Sequence, residues 1–314
     1  MTIQWLEISV EFSGPDPFVL QDLIYQAFDS WGMEGVVLDE PGATGLAFGR
    51  EEEVEELSCG KFVVTGYLAD LPGARKKLAG LEGEVKRLCA ARGASFSLSV
   101  SRRLEEEWEK AWKEFFHPVR VGESILVQPS WERVEAPAEK IVITLDPGMA
   151  FGTGAHPTTT LAMELLEAHL RPGMRVLDVG CGSGILMVLA YKLGASFVAG
   201  IDCDEVAVRV AGENLELNAA PETCRALWQG DLVRGIRRGA FGCVAANITA
   251  EPVIALVDQL PDVLLPGALF IASGVITEKW PKVFARLEKR GFSVTDIRHR
   301  EGWVGAAAVY EPAG

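Results

Sequence analysis

Apolar and polar residues are arranged in two different ways along this chain of 314 residues. In its first part, strand-like stretches alternate with segments whose apolar residues recur at helical spacing, as Leu20, Ile24 and Ala27 do. The predicted strands span residues 3–12, 35–38, 61–67 and 95–100, and the predicted helices span residues 18–31 and 74–92. This β-α-β-β-α-β order predicts a ferredoxin-like α+β domain over residues 1–101.

A helix with an aromatic stripe is expected to follow as a linker. Residues 104–116 read LEEEWEKAWKEFF, which places the aromatic residues on one side of a helix and the acids on the other. We therefore predict a linker helix within residues 102–117. Short strand-like pieces at 124–127 and 141–144, separated by prolines, then lead into the second domain.

From about residue 146 onward, apolar strands and helical segments alternate. The predicted strands span residues 176–179, 197–201, 226–229, 244–247, 268–273, 293–298 and 304–310. Helices fit between the first five of these strands, and the last two could form a hairpin. Such a series predicts a doubly wound, seven-stranded, Rossmann-like α/β domain over residues 118–314, mainly parallel with an antiparallel edge strand. Ligands of such sheets bind at the carboxyl ends of the strands.

A glycine-rich turn joins the first two strands of this series. The sequence VLDVGCGSG places Gly180, Gly182 and Gly184 directly after a short apolar strand, where the backbone can turn tightly and approach a ligand. The next strand ends at Asp202, whose carboxylate can accept hydrogen bonds from both hydroxyls of a ribose. A dinucleotide site would have a third glycine at Ile185, so the turn favours an adenosine group without a pyrophosphate. A nicotinamide-dependent oxidoreductase is the disfavoured alternative.

Polar residues at the ends of two further strands are expected in the same crevice. Asp231, which follows Gly230, could reach the amino group of adenine, although this dipeptide is also a common turn. Asn247 begins the segment NITAEP, where its oxygen can accept from an amine while its nitrogen donates to a ligand. The alternative role of Asn247 is to cap the following helix.

The loop before the helix predicted at residues 161–169 is rich in glycine and threonine. It reads DPGMAFGTGAHPTTT over residues 146–160, and it can fold over a ligand and supply groups from the helix N-terminus. Its three threonines, Thr159 among them, lie near that N-terminus. His156 precedes a proline in a polar loop, so a structural hydrogen bond is favoured over a role as catalytic base.

The composition restricts the classes of binding partner and the cellular compartment that we expect. A formal net charge of −14 and a pI near 4.9 disfavour nucleic acid as the main partner and permit a basic protein substrate. The six cysteines show neither CxxC pairing nor the spacing of a zinc site, which indicates reduced thiols, no bound metal and a cytoplasmic location. The sequence contains no signal-peptide core and no apolar run of membrane-spanning length.

Four motifs together resemble those of one enzyme family. The segments FGTGAHPTT at 151–159, VLDVGCGSG at 176–184, GIDCD at 200–204 and AANI at 245–248 look like the motifs of the PrmA family. This family comprises class I S-adenosylmethionine-dependent methyltransferases of ribosomal protein L11. The stretch at residues 106–131 also resembles the family's region before the catalytic domain. The match covers about residues 108–303, and the first domain matches in size and element order.

The resemblance implies a methyl donor, an acceptor and site residues. Thr159, Gly180, Asp202 and Asn247 match the positions that contact S-adenosylmethionine in the family, and Gly182 belongs to the same turn. The first domain of such enzymes recognises the ribosomal protein, either free or in the ribosome. The family's reaction extends to trimethylation of several lysines and of an N-terminal amine.

Asn247 is the expected catalytic residue. A lysine with a pKa of about 10.4 is almost fully protonated at pH 7, but burial beside a positive sulfonium lowers that pKa, so a strong base is dispensable. The Asn247 oxygen would then orient the neutral amine toward the methyl group. Methyltransferases of glutamine or of nucleic-acid amines usually carry NPPY or DPPY where this chain has NITA, which counts against them. A non-catalytic ribosome-binding or assembly protein is the remaining alternative.

Overall fold

The computed structural model describes residues 4–39, 62–104, 117–132, 134, 140–146, 154, 156–236 and 239–312. The chain divides into two compact units, Met1–His117 and Pro118–Gly314. Most of the predicted linker helix, residues 105–116, lies outside the described residues. The residues at 102–104, which were predicted to belong to the linker, are instead the end of a strand.

The first unit has the predicted ferredoxin-like order of elements. Its elements are β1 (Gln4–Ser13), α1 (Pro17–Ser30), β2 (Glu34–Asp39), β3 (Phe62–Ala69), α2 (Ala74–Ala91) and β4 (Ser95–Leu104). The four strands form an antiparallel sheet in the order β2-β3-β1-β4. Alternate residues of β1, such as Ile8 and Val10, are fully buried with Leu20 and Leu81 from the two helices. The alternate residues of the strand and the apolar faces of the two helices therefore pack into one core.

The second unit contains a small sheet and a large one. The small sheet consists of β5 (Val119–Val121), β6 (Ile125–Pro129) and β7 (Ile141–Leu145). The strands of the large sheet are β8 (Arg175–Val179), β9 (Phe197–Asp202), β10 (Arg225–Gln229), β11 (Phe241–Asn247), β12 (Leu264–Ile276), β13 (Phe292–Arg300) and β14 (Trp303–Tyr310). The α-helices are α3 (Pro157–His169), α4 (Ile185–Lys192), α5 (Glu205–Leu217), α6 (Ala250–Val263) and α7 (Trp280–Lys289). All seven predicted strands of this domain are present.

The large sheet has the order β10-β9-β8-β11-β12-β14-β13 and differs from the prediction in two places. The antiparallel strand is β14, which lies between β12 and β13 and not at the edge, because the β13-β14 hairpin folds back into the sheet. The helix predicted between β10 and β11 is absent from the described residues there, which form turns at 231–235. The connection is therefore shorter than the β/α pattern suggested.

Both faces of the large sheet are covered, which explains its apolar strands. In β8, Val176 belongs to the buried cluster on one face, whereas Leu177 and Val179 belong to the cluster on the other. Such two-sided burial is typical of a parallel sheet with helices on both faces. Asp178 is the polar exception in this strand and is almost fully buried. None of the described helices is long and apolar enough to cross a bilayer.

Candidate functional site

The glycine-rich turn is fixed to the neighbouring strand by its backbone. The amides of Gly180 and Cys181 both donate to the carbonyl oxygen of Ile201, at 2.8 and 3.1 Å. Gly180 has a φ of +72°, and a Cβ atom at this position would lie 2.4 Å from the Cγ2 atom of Ile248. Only glycine satisfies both the positive φ and the close approach. The turn therefore lies directly against the segment that follows β11.

Asp202 occupies the predicted place at the carboxyl end of β9. Its Oδ2 atom accepts from the backbone amide of Gly182 (2.9 Å), and its Oδ1 atom accepts from that of Asp204 (3.0 Å). These two bonds fix the orientation of the half-buried carboxylate. Each carboxylate oxygen has a further lone pair. The side chain is thus pre-oriented to accept from two vicinal hydroxyl groups.

The structure brings Asn247 and Thr159 together, although 88 residues separate them in the sequence. The Asn247 Nδ2 atom donates to the Thr159 hydroxyl oxygen at 3.2 Å, and Thr159 is fully buried. The Asn247 Oδ1 atom is buried and has no hydrogen-bond partner among the described residues. Helix α6 begins at Ala250 with Thr249 as its N-cap residue, so Asn247 is not that cap. Its oxygen is available to a ligand.

Three residues of the site were not predicted from the sequence, namely Ser273, Asn214 and Asp178. The hydroxyl of Ser273, a fully buried residue of β12, donates to the carbonyl oxygen of Thr158 (2.8 Å). Its carbonyl oxygen accepts from the amide of Ile248 (3.2 Å). Ser273 therefore connects the start of α3 to the segment containing Asn247. The second residue is Asn214, which donates to the carbonyl oxygen of Ser183 (2.9 Å) and so fixes the far side of the glycine turn.

Asp178 is the other buried polar group near the turn. Burial raises its pKa well above the ordinary value for a carboxyl group, and the charge of Asp202 raises it further. Neither carboxyl oxygen has a hydrogen-bond partner among the described residues. The sequence signal was present, since an acid interrupts the apolar strand VLDVG. A cationic ligand in the crevice would favour the ionised form of this carboxyl group.

His156 caps the helix that carries Thr159. Its Nδ1 atom accepts from the backbone amide of Thr158 (3.3 Å) and lies 2.8 Å from the hydroxyl oxygen of the same residue. The ring also makes an edge contact with Trp303, at 5.6 Å between centroids. Burial lowers the pKa of His156 to about 4. A neutral ring with Nδ1 engaged fits a structural role.

The structure treats the remaining sequence candidates differently: one lies in an exposed ion pair, and others lie outside the described residues. Asp231 follows β10 as predicted, but its carboxylate forms an exposed ion pair with Arg234 (3.1 Å). Most of the glycine-rich loop, residues 147–153, lies outside the described residues. The candidates that the structure does bring together at the carboxyl edge are Thr159, Gly180, Gly182, Asp202 and Asn247.

These features fit the donor that the sequence motifs imply. S-adenosylmethionine carries ribose hydroxyls and positive charge, and the site offers a pre-oriented carboxylate at Asp202 and a buried carboxyl group at Asp178. A Cβ atom at Gly180 would fill the cradle between the turn and Ile248. The polar groups of the site therefore match the donor's chemistry.

The chain is similar over almost its whole length to proteins of one kind. A family model described as "Ribosomal protein L11 methyltransferase (PrmA)" matches residues 4–310. The "Ribosomal protein L11 methyltransferase" of Desulfatibacillum aliphaticivorans is 42% identical over 98% of this chain and 99% of that protein. The protein of the same name from Desulfosudis oleivorans is 39% identical over 96% and 97% of the two chains. The crystal structure of ribosomal protein L11 methylase from Lactobacillus delbrueckii subsp. bulgaricus is 33% identical, with a TM-score of 0.58, and covers 63% of this chain and 100% of that chain.

Proposed function

The chain belongs to the ribosomal protein L11 methyltransferase family, and from this premise we propose that it methylates lysine side chains and the N-terminal amine of that ribosomal protein, up to the trimethyl state. S-adenosylmethionine is its methyl donor. One observation carries the proposed site: the Asn247 side chain, held by Thr159, presents a buried oxygen without a partner among the described residues, beside the glycine-rich turn.

The residues of this chain bind and orient the donor. S-adenosylmethionine supplies, when bound, a methyl group on a positively charged sulfur that is already electrophilic. Asp202 would accept hydrogen bonds from the ribose hydroxyls of the donor, and the backbone turn from Gly180 to Gly184 would bind next to it. The buried carboxyl group of Asp178 lies two residues before Gly180, and the positive charge of a bound donor would favour its ionised form. The main task left to the protein is the alignment of donor and acceptor.

Asn247 orients the acceptor amine in this proposal. An ammonium group has no lone pair and cannot attack, so the lysine must lose a proton to water before the transfer. Burial of the amine next to positive charge lowers its pKa and makes the neutral form accessible. In the first two transfers the Oδ1 atom of Asn247 would accept a hydrogen bond from the amine N–H, which leaves the lone pair directed toward the methyl group; the neutral dimethylated amine has no N–H, so this bond is absent from the third transfer. The amide needs no proton transfer of its own.

We further propose a division of labour between the two units. Pro118–Gly314 contains the donor site and the chemistry, and Met1–His117 recognises the ribosomal protein, free or in the ribosome. The net charge of −14 supports a basic protein rather than a nucleic acid as the methyl acceptor. The five cysteines among the described residues are free thiols, which supports action in the cytoplasm.

The decisive experiment uses methyl-labelled S-adenosylmethionine, the full chain and purified bacterial ribosomal proteins and RNA. We expect the label in one large-subunit protein, and mass spectrometry of its peptides should show one, two and three methyl groups on lysines and on the N-terminus. Label in the RNA, or in no component, would contradict the proposed function. Label confined to monomethylated sites would contradict only the trimethylation.

A further inference from the structure

Positive charge in the first unit is concentrated on one helix. Residues 74–92, which form α2 and its C-cap residue, contain six Lys and Arg residues and two Glu residues. The other residues of the segment 1–101 contain two Lys and Arg residues against fourteen Asp and Glu residues. A helix of net charge +4 thus lies in a domain and a chain that are otherwise strongly acidic. The donor site in the second unit does not explain why the positive charge of the first unit is concentrated on this helix.

Four of these cations share the exposed face of α2. The helix buries Ala74, Leu81, Val85 and Cys89 and exposes Arg75, Lys76, Lys86 and Arg87. Eleven residues separate Arg75 from Lys86, and Lys76 from Arg87, which is close to three helical turns or about 16 Å along the axis. The face therefore presents two pairs of cations, one near each end. We call these four residues the α2 basic face.

The cations of the α2 basic face are only partly compensated, by the exposed Glu82 on the same side of the helix, four residues before Lys86. Within the described part of the chain, Arg87 is the member of this face with an ion pair, to Glu84 at 3.2 Å, and 73% of its side chain remains exposed. Exposed cations without partners repel one another and raise the local potential. Such an arrangement is maintained at a small cost in stability, and it attracts a polyanion.

The middle of the face is flat and open. Gly83, between the two pairs, is exposed, and a Cβ atom there would meet no other atom within 4 Å. A glycine inside a helix is destabilising relative to alanine, and packing within the unit does not explain this one. Gly80 differs, because a Cβ atom there would lie 2.2 Å from the Trp31 ring. Because Gly83 has no side chain, a ligand backbone can approach there between the two pairs, beside the exposed Glu82.

We propose that the α2 basic face docks on the phosphate backbone of the RNA to which the substrate protein is bound. The inference rests on the proposed function, because a ribosomal protein brings its own RNA to the enzyme. Phosphates offer closely spaced charges to which Lys and Arg donate without reading sequence. The proposed function involves no acidic protein that would compete with RNA for the α2 basic face. The face adds affinity for the RNA-bound substrate and leaves the reaction with the free protein unchanged.

The binding test compares two variants of the full chain with equal change in charge. The first replaces Arg75, Lys76, Lys86 and Arg87 by Gln, and the control replaces Arg171, Arg209, Lys282 and Lys289 by Gln. The four control residues are exposed in the second unit. Anisotropy of a fluorescein-labelled RNA hairpin is measured at salt concentrations from about 50 to 200 mM. We expect the α2 variant to bind about tenfold more weakly or worse, with a slope of log K against log salt that is smaller by about three. The control variant should match the wild type.

The kinetic test compares free ribosomal protein with the same protein bound to its RNA fragment. The α2 variant should keep kcat/KM for the free substrate within about twofold and lose about tenfold for the RNA-bound one. Equal RNA binding by the two variants, or displacement of the RNA by polyglutamate at equal charge concentration, would overturn the proposal. Failure of the wild type to methylate either substrate would contradict the proposed function alone, because anisotropy reports RNA binding without turnover. Thermal unfolding of both variants verifies that they fold.

Discussion

Among the described residues, the Asn247 side chain has a satisfied donor and an unsatisfied acceptor, and the proposed role rests on this asymmetry. We predict that Asn247→Ala lowers kcat by about 100-fold or more, because the acceptor amine loses its orienting oxygen. The affinity for S-adenosylmethionine should change much less, since Asp202 and the glycine turn remain. Single-turnover kinetics and equilibrium dialysis measure the two quantities. Turnover within about twofold of the wild type would refute the assigned role.

Substitution of Ser273 tests whether the position of Thr159 affects the function of Asn247. Ser273→Ala removes the hydroxyl that donates to the Thr158 carbonyl oxygen at 2.8 Å. We predict a loss of about 1 kcal/mol in the free energy of unfolding, typical of one hydrogen bond, together with a fall in kcat. Ser273→Cys retains the size of the side chain with a weak donor and should be intermediate. A stability loss with an unchanged kcat would show that Ser273 acts on the fold and not on the site.

His156 makes a pH-dependent contribution whose sign follows from its buried ring. Its folded-state pKa of about 4 is below the ordinary value of 6.5. The unfolded chain therefore binds a proton that the folded chain excludes, and the stability from this group is lost as the pH falls from about 6.5 toward 4. We predict that His156→Gln loses less stability than the wild type between about pH 7 and pH 5.

Urea unfolding at the two pH values measures this difference, and the pH dependence of kcat provides the control. A catalytic His156 would give an inflection of kcat between about pH 6 and 7 that the glutamine variant lacks. We expect the same profile from both proteins. Identical pH dependence of unfolding in the two proteins would contradict the linkage.

Among the elements, the turn between β8 and α4 depends most strictly on its sequence. We predict that Gly180→Ala destabilises the protein by about 2–4 kcal/mol, because an alanine is strained at φ +72° and its Cβ atom would lie 2.4 Å from Ile248. Binding of S-adenosylmethionine should weaken as Ile248 shifts. Gly173→Ala is the matched control: its φ is +85°, but no atom lies within 4 Å of the added Cβ.

The two glycine variants separate backbone strain from steric clash. Gly173→Ala should lose about 1–2 kcal/mol and retain donor binding, since strain alone acts there. Urea unfolding and dialysis with labelled S-adenosylmethionine measure both effects. Equal losses of stability in the two variants would mean that the Ile248 side chain moves away at little cost and that the turn at Gly180 is not tightly packed against it.

The strands of the large sheet were predictable because burial on both faces leaves continuous apolar runs. The position of β14 was not, since the apolar pattern of a hairpin is the same at an edge and inside a sheet. The end of β4 was also missed, because SRRL carries no alternating apolar signal although it pairs with β1 up to Leu104. In these cases the pairing partner, and not the local sequence, determines the element.

The residues of the site likewise divide into those that the sequence alone indicated and those that it did not. Glycine spacing and the acid at the end of β9 indicated the turn and Asp202 from the sequence alone. The family resemblance indicated Thr159 and Asn247 as positions that contact the donor, but it did not indicate their contact with each other, which joins residues 88 positions apart. Ser273 carries no signal in the segment IASGV, and its role becomes visible only once β12 is placed beside β11. Long-range hydrogen bonds of single hydroxyl groups leave no periodic pattern in a sequence.

For the whole molecule, the division into two units leads to a test of the proposed roles. Among the described residues, each unit has buried clusters formed by its own side chains. Each unit therefore has the core that independent folding requires.

We predict that the fragment Pro118–Gly314 unfolds cooperatively and binds S-adenosylmethionine within about threefold of the full chain, because Thr159, Gly180, Asp202 and Asn247 all lie in it. Its kcat/KM for the ribosomal protein should fall by about 100-fold or more, because the recognition surface is lost while the donor site is kept. Isothermal titration with the donor and methylation assays over a range of ribosomal protein concentrations distinguish the two effects. A fragment that methylates the ribosomal protein as well as the full chain would place recognition in the second unit, and one that folds but does not bind the donor would place part of the donor site outside it.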